Sequence, residues 1–369
     1  MAFWRSVLTM SAGVLAHAVA LAGTASAGDS LQSILQTYLA QEELAGGILL
    51  VSTPDRREVV VAGIADSATG ARVSPGSRFY VASVGKMAVA TATLQLVDEG
   101  VLKLDAPILP LVGGVPDLPR LPNAGKARLQ QLLDHSSGIP DYLTDTFSDA
   151  FHAKPKTLTP AFALPFAYGE RATGRPGQAH EYSNSNYVLL GDIIATADAT
   201  SLDAALRRRI LDRAEMTDTT VGAKSGDHRL AHGYADLNDD GAEEDVSQYA
   251  WNSPLGDGPL VTTAADLEHF LFALFRDGKL LAPAMLRRMT APSAQEEGYG
   301  LGVELGKDRW GKWYGHTGVD DGFEAEIRYY PDRKTALVFM TNGNSISDES
   351  IIDTVVTALF VGPKSGKKN

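Results

Sequence analysis

The sequence contains no cysteine among its 369 residues. That absence excludes disulfides, a thiolate nucleophile, cysteine-ligated zinc and iron–sulfur clusters. The fold must be held by core packing, which 44% hydrophobic residues make feasible. A basic excess is missing too: 33 Lys and Arg stand against 45 Asp and Glu, for a formal net charge of −12. The acidic residues are spread without long blocks, so neither nucleic acid nor an anionic membrane meets a basic face. No apolar stretch beyond residue 27 reaches membrane-spanning length. Gly-x-Ser-x-Gly is also lacking, because Val81 stands where the first glycine would precede Ser83, which disfavours an α/β-hydrolase.

What is present begins with a leader. Arg5 supplies a charged start, residues 7–23 are mostly apolar, and Ala25-Ser26-Ala27 is a small-residue cleavage site. Residues 1–27 are therefore expected to be a cleaved signal peptide, with the mature protein exported to the periplasm or secreted and without a stable membrane span; retention as an anchor is the alternative.

Periodicity places a first helix over residues 31–39 and a hairpin of two β-branched runs, 48–52 and 58–62. Helices follow over 128–135, 188–197 and 202–213, then one opened by Thr262 or Thr263 and running to 275, and one over 283–289. Strands are expected at 299–305, 313–315, 324–330 and 336–341, with Pro331 to Lys334 as a turn, before a closing helix at 351–361. Strands at both ends around a helical middle indicate an α+β fold: a sheet domain from 28–82 and 256–369, with an inserted, mostly helical domain at 83–255.

The chemistry-bearing stretch is Arg78-Phe79-Tyr80-Val81-Ala82-Ser83-Val84-Gly85-Lys86. A helix running from Ser83 to Glu99 puts Ser83 and Lys86 on one face. Ser83 has the bland role of a helix cap, but a pure cap prefers Glu or Gln three residues on, and a cation there opposes the helix dipole. A desolvated Lys86 with a lowered pKa could take the proton of Ser83. The pattern alone is weak, since Ser365-x-x-Lys368 in the basic tail repeats it with no helix behind it.

Two further motifs join it. Tyr182-x-Asn184 precedes a helix; turn chemistry explains it, but a tyrosine beside a cationic lysine loses its proton more easily than usual, and Asn184 could donate to a substrate amide. His316-Thr317-Gly318 follows a strand; Gly318 leaves room for a substrate backbone, and the N–H of Val319 could pair with that of Ser83 as an oxyanion hole. His135 reads as a buried structural residue. Asp236 to Gly241 imitates the start of a calcium loop, but Ser247 stands where the twelfth-position glutamate belongs, so an acidic hairpin turn is expected instead.

Taken in order, Ser83-x-x-Lys86, Tyr182-x-Asn184 and His316-Thr317-Gly318 resemble the serine beta-lactamase-like family: class C beta-lactamases, D-alanyl-D-alanine carboxypeptidases and related esterases. The likeness covers residues 45–342. It implies an antiparallel sheet flanked by helices and built from both termini, with the site against the helical insert. It implies Ser83 as acylated nucleophile, Lys86 and Tyr182 as shared general base, Asn184, His316, Thr317 and Gly318 as substrate-binding residues, and the Ser83 and Val319 N–H groups as oxyanion hole. No metal or organic cofactor is implied, and the partner is a small peptide, ester or beta-lactam. One departure is His316, where class C enzymes usually carry lysine. A carboxylate-ended substrate needs a cation, for which Lys307, Arg309 and Arg328 are candidates. The expectation is an exported serine hydrolase of D,D-carboxypeptidase type, with an esterase, a weak beta-lactamase or a non-hydrolytic penicillin- or peptide-binding module as alternatives.

Overall fold

Ser30 opens the first helix, α1 (Leu31–Gln41), by accepting the Ser33 N–H at 3.1 Å. The computed structural model describes residues 30–153, 158–223, 226–237, 240–247, 255–347 and 349–360. The expected leader and the second Ser-x-x-Lys lie outside the described residues. Strands β1 (Gly46–Ser52), β2 (Arg57–Asp66) and β3 (Ala71–Arg72) follow, then the short β4 (Phe79–Tyr80). The helical middle comprises α2 (Lys86–Asp98), α3 (Leu129–Leu133), α4 (Asp145–Ala153), α5 (Pro160–Ala163), α6 (Asn184–Ala197) and α7 (Leu202–Leu206). Small strands β5 (Thr220–Val221), β6 (Tyr234–Ala235), β7 (Glu244–Asp245) and β8 (Leu260–Thr262) lead to α8 (Ala264–Leu271), capped by Thr263, and α9 (Pro283–Met289). The chain closes with β9 (Glu304–Asp308), β10 (Gly311–Asp320), β11 (Phe323–Tyr330), β12 (Thr335–Thr341) and α10 (Ile351–Phe360).

Seven strands form one antiparallel sheet in the order β3-β2-β1-β12-β11-β10-β9. Its two halves come from opposite ends of the chain, joined where Ile48 pairs with Met340 and Leu50 with Val338. Alternate side chains go to opposite faces. Leu49, Val51, Leu337 and Phe339 pack with Leu35 of α1 and Ile352 and Val355 of α10. Ile48, Leu50, Val338 and Met340 join the larger core with Met87, Val89 and Leu94 of α2. Helix α2 is buried without interruption from Lys86 to Leu96, as expected of a helix lying inside the core rather than on it. The α+β architecture with an antiparallel sheet is therefore the one that forms.

Two expected elements are redrawn. The helix of the Ser83 segment does not begin at Ser83: residues 82–85 make a tight 3-10 turn, and the α-helix starts at Lys86. Residues 299–303 are a turn rather than the start of a strand. Gly302 has φ +75°, Gly300 N–H bonds to Val303 O at 2.8 Å, and a Cβ on Gly302 would meet the Ala90 Cβ at 2.3 Å. An alternating apolar pattern conceals this because the glycines answer to backbone shape and close packing. Strands β6 and β7 pair as a hairpin, and Asp236 accepts the N–H groups of Asp240 and Gly241, while Asn238 and Asp239 lie outside the described residues. Among the described residues no group of acidic or histidine side chains is arranged to hold a metal ion, and no helix is long and apolar enough to cross a membrane.

Candidate active site

Strand β4 pairs with β8, Phe79 opposite Thr262 and Tyr80 opposite Val261, and fixes the chain just before Ser83. Ala82 then takes a φ of +44°, a left-handed conformation that costs a residue with a β-carbon on the order of 1 kcal/mol. Burial of Val81, Ala82 and Val84 holds it there, and strain of this kind gathers at functional sites. The turn leaves Ser83 partly exposed while Lys86, at the head of α2, is sealed from water.

Lys86 uses all three of its ammonium hydrogens. Nζ donates to Ser83 Oγ at 2.8 Å, to Asn184 Oδ1 at 2.7 Å and to the carbonyl of Asp257 at 2.6 Å. Burial drives its pKa down to about 8, against the pull of the carboxylates of Asp257, Asp141 and Asp320. Those three acids are themselves held above the ordinary carboxylate range, chiefly by burial. The Lys86–Ser83 pair is thus a serine hydroxyl already bonded to an amine whose proton leaves near neutral pH.

Tyr182 stands close enough to Ser83 for the serine side chain to favour its ionised form, and its ring centroid lies 5.1 Å from Lys86 Nζ. The expectation that the lysine charge would ease its ionisation is corrected: burial outweighs it and holds the phenol well above 10. Tyr182 therefore rests neutral, ready to give a proton rather than to take the first one. Its ring stacks on His135 at 4.1 Å and 24°. His135 is fully buried, its pKa pushed well below 6.5 by burial, and its Nδ1 accepts the Ser183 N–H at 3.1 Å. The histidine is a structural platform that sets the tyrosine ring.

Asn184 is held at both ends. Its Oδ1 takes the Lys86 hydrogen while its Nδ2 and backbone N–H donate to Asp141 Oδ2 at 2.9 and 3.0 Å. Asp257 accepts from the Tyr142 hydroxyl at 2.7 Å. Sequence reasoning gave no role to Asp141 or Asp257. Only their distance in sequence hid them, since the contacts that matter are made across the fold.

On the other side runs β10. A Cβ on Gly318 would lie 2.4 Å from the Val81 carbonyl and 3.0 Å from the Ser83 nitrogen, so only glycine lets the strand pass beside Ser83. Strand β9 pairs with β10 only from 311 to 315, so among the described residues the edge from His316 to Asp320 has no strand partner on that side. Along this edge the Thr317 N–H points out to Glu304 Oε1 at 3.1 Å. By the two-residue alternation of an antiparallel ladder, the Val319 N–H faces the same way.

His316 is buried and its pKa is lowered by that burial despite Glu304 at 3.4 Å. It lies against the Thr317 carbonyl through Nδ1, at 2.5 Å, and the Tyr299 hydroxyl through Nε2, at 3.0 Å. The proposed cations are elsewhere. Lys307 pairs with Lys312, toward the far end of β10, and Arg309 is exposed in the turn beyond it. Arg328 is buried among Glu326, Asp308 and Asp353. What stands beside His316 and Thr317 is the carboxylate of Glu304, a residue missed in the sequence.

The family model described as Beta-lactamase matches residues 31–360. Penicillin-binding protein 4 of Amycolatopsis lactamdurans is 26% identical over 336 residues, covering 82% of each chain. The solved D-amino acid amidase of Ochrobactrum anthropi SV3, in complex with L-phenylalanine amide, superposes with a TM-score of 0.75 at 26% identity, over 89% of this chain and 96% of that one. A penicillin-binding protein from Bacillus halodurans, at 24% identity and a TM-score of 0.76 over 89% of this chain and 99% of its own, shares the fold.

Proposed function

The chain belongs to the Beta-lactamase family as a serine hydrolase related to penicillin-binding proteins, and from that premise we propose that it is exported and cleaves D-amino acid peptides or amides through an acyl-enzyme on Ser83. The observation that carries this reading is the 2.8 Å bond between the buried Lys86 Nζ and Ser83 Oγ.

In the reaction, the unprotonated Lys86 takes the Ser83 hydroxyl proton as Oγ bonds to the substrate carbonyl carbon. The N–H groups of Ser83 and Val319 receive the resulting oxyanion; one such donor is typically worth on the order of 10²–10³ in turnover. Tyr182 gives its proton to the leaving nitrogen and is reprotonated from Lys86 as the C–N bond breaks. Water then adds to the Ser83 ester and releases the acid. Asn184, clamped by Asp141, holds Lys86 in line, and the open edge of β10 takes an extended substrate backbone as an added strand. Support for D-amino acid substrates comes from the amidase at 26% identity.

A substrate panel tests this. Acyl-D-amino acid amides and peptides should turn over at least tenfold faster than their L counterparts, and Ser83→Ala should remove both activities. Turnover of simple esters alone would favour the esterase reading. Covalent penicillin labelling without turnover of any substrate would favour a binding module.

A further inference from the structure

The His316–Thr317 end of the β10 edge carries a carboxylate. Thr317 presents two donors there, its backbone N–H and its hydroxyl, and both go to one oxygen of Glu304, at 3.1 and 2.8 Å. A carboxylate only accepts, so two donors that a substrate oxygen would use are met by a fixed anion. His316 does not offset it, being buried with its pKa lowered and its nitrogens directed at Tyr299 and the Thr317 carbonyl. Arg328 is consumed by its own acids, while Lys307 and Arg309 sit toward the other end of the strand. Glu304 reaches the proton-donating side of the site through a continuous set of contacts. It lies 3.4 Å from His316, which bonds Tyr299, and the Tyr299 ring meets His135, on which Tyr182 is stacked. Of the acids named above, Glu304 exerts the strongest influence on Tyr182.

We propose that Glu304 makes the leaving-group subsite anionic, so that the protein takes D-amino acid substrates whose leaving group is a neutral amide or a cationic amine and rejects those ending in a free carboxylate. This rests on the serine hydrolase reading above and turns its substrate class away from the expected D,D-carboxypeptidase, whose substrates end in a free carboxylate. A free C-terminal carboxylate entering beside Thr317 meets a like charge and finds both donors occupied. An ammonium or a carboxamide N–H instead finds an acceptor.

The test uses the whole mature chain and two matched substrate pairs. One is an acyl-D-Ala-D-Ala peptide with a free carboxylate or a carboxamide end; the other is a pair of aryl acetates whose phenol bears a carboxylate or a carboxamide. The expected result is a kcat/KM ratio of amide-ended over carboxylate-ended substrate of at least tenfold, falling as salt is raised. Glu304→Gln keeps an acceptor for Thr317 and should bring the ratio within about threefold of unity at unchanged melting temperature. A purely structural glutamate would lower both rates together and leave the ratio alone. A wild-type preference for the carboxylate, or a ratio that survives Glu304→Gln, overturns the proposal. If the D-peptides are inert but the esters show the ratio, the subsite stands and the D-amino acid reading fails. No turnover of either pair counts against both.

Discussion

Replacing Lys86 by methionine should lower kcat/KM by on the order of 10³ while leaving the protein folded. General base catalysis of this kind contributes about 10²–10⁴ in rate, and here the same side chain also orients Ser83 at 2.8 Å. The stability terms oppose one another. Burial moves the lysine pKa from 10.5 to about 8, so keeping it charged at pH 7 costs about 3 kcal/mol. Methionine removes that cost but strands two acceptors, Asn184 Oδ1 and the Asp257 carbonyl, at about 1–3 kcal/mol each. The net change should lie between about 1 kcal/mol of stabilisation and about 3 kcal/mol of destabilisation, measured by denaturant titration. The pH dependence carries the sign. Wild-type kcat/KM should rise with pH through about 8 as Lys86 loses its proton, and the variant should lack that limb. Because the folded state sheds the proton first, the stability of wild type relative to the variant should improve between about pH 8 and 10.5. A variant with wild-type activity, or a wild-type rate that falls across that range, would remove Lys86 from the base role.

The largest stability loss is expected at Arg328, whose guanidinium is turned toward α10. Arg328 donates to Glu326 at 2.6 Å and to Asp353 of α10 at 2.6 Å, with its guanidinium 4.5 Å from the centre of the Trp313 ring. Burial opposes its charge, but Glu326 and Asp353 outweigh that and raise its pKa. Arg328→Met leaves the buried Glu326 carboxylate without its counterion, a change that costs about 3–5 kcal/mol. Burial already raises the Glu326 pKa, so the deficit should shrink as pH falls and Glu326 takes up a proton. Adding Glu326→Leu should recover most of the loss, read as a melting temperature. Recovery failing, or a deficit that grows in acid, would mean that the cluster is not held by this charge pairing.

How far the sequence reaches depends on how local each cause is. Ser83 and Lys86 were legible because one turn of helix relates them, and the 3-10 turn that replaces the first helical turn still brings the two polar groups together. The sheet was legible from its β-branched runs, although the alternating residues before Glu304 hid a glycine turn. The carbonyl that holds Lys86 belongs to Asp257, 171 residues away, and no spacing announces it. Tyr182 shows the same limit for energetics: the neighbouring cation can be read from the motifs, but the burial that reverses its effect exists only in the fold. Glu304 escaped because its meaning comes from pairing opposite Gly315, which sets it against the Thr317 donors.

The most direct measurement is intact-mass analysis of the protein quenched during turnover of an acyl-D-amino acid ester. Wild type should gain the mass of one acyl group, located on the peptide containing Ser83, and Ser83→Ala should gain none. An unmodified wild-type protein under conditions where product accumulates in a burst, or an adduct that persists in Ser83→Ala, would contradict nucleophilic catalysis at Ser83.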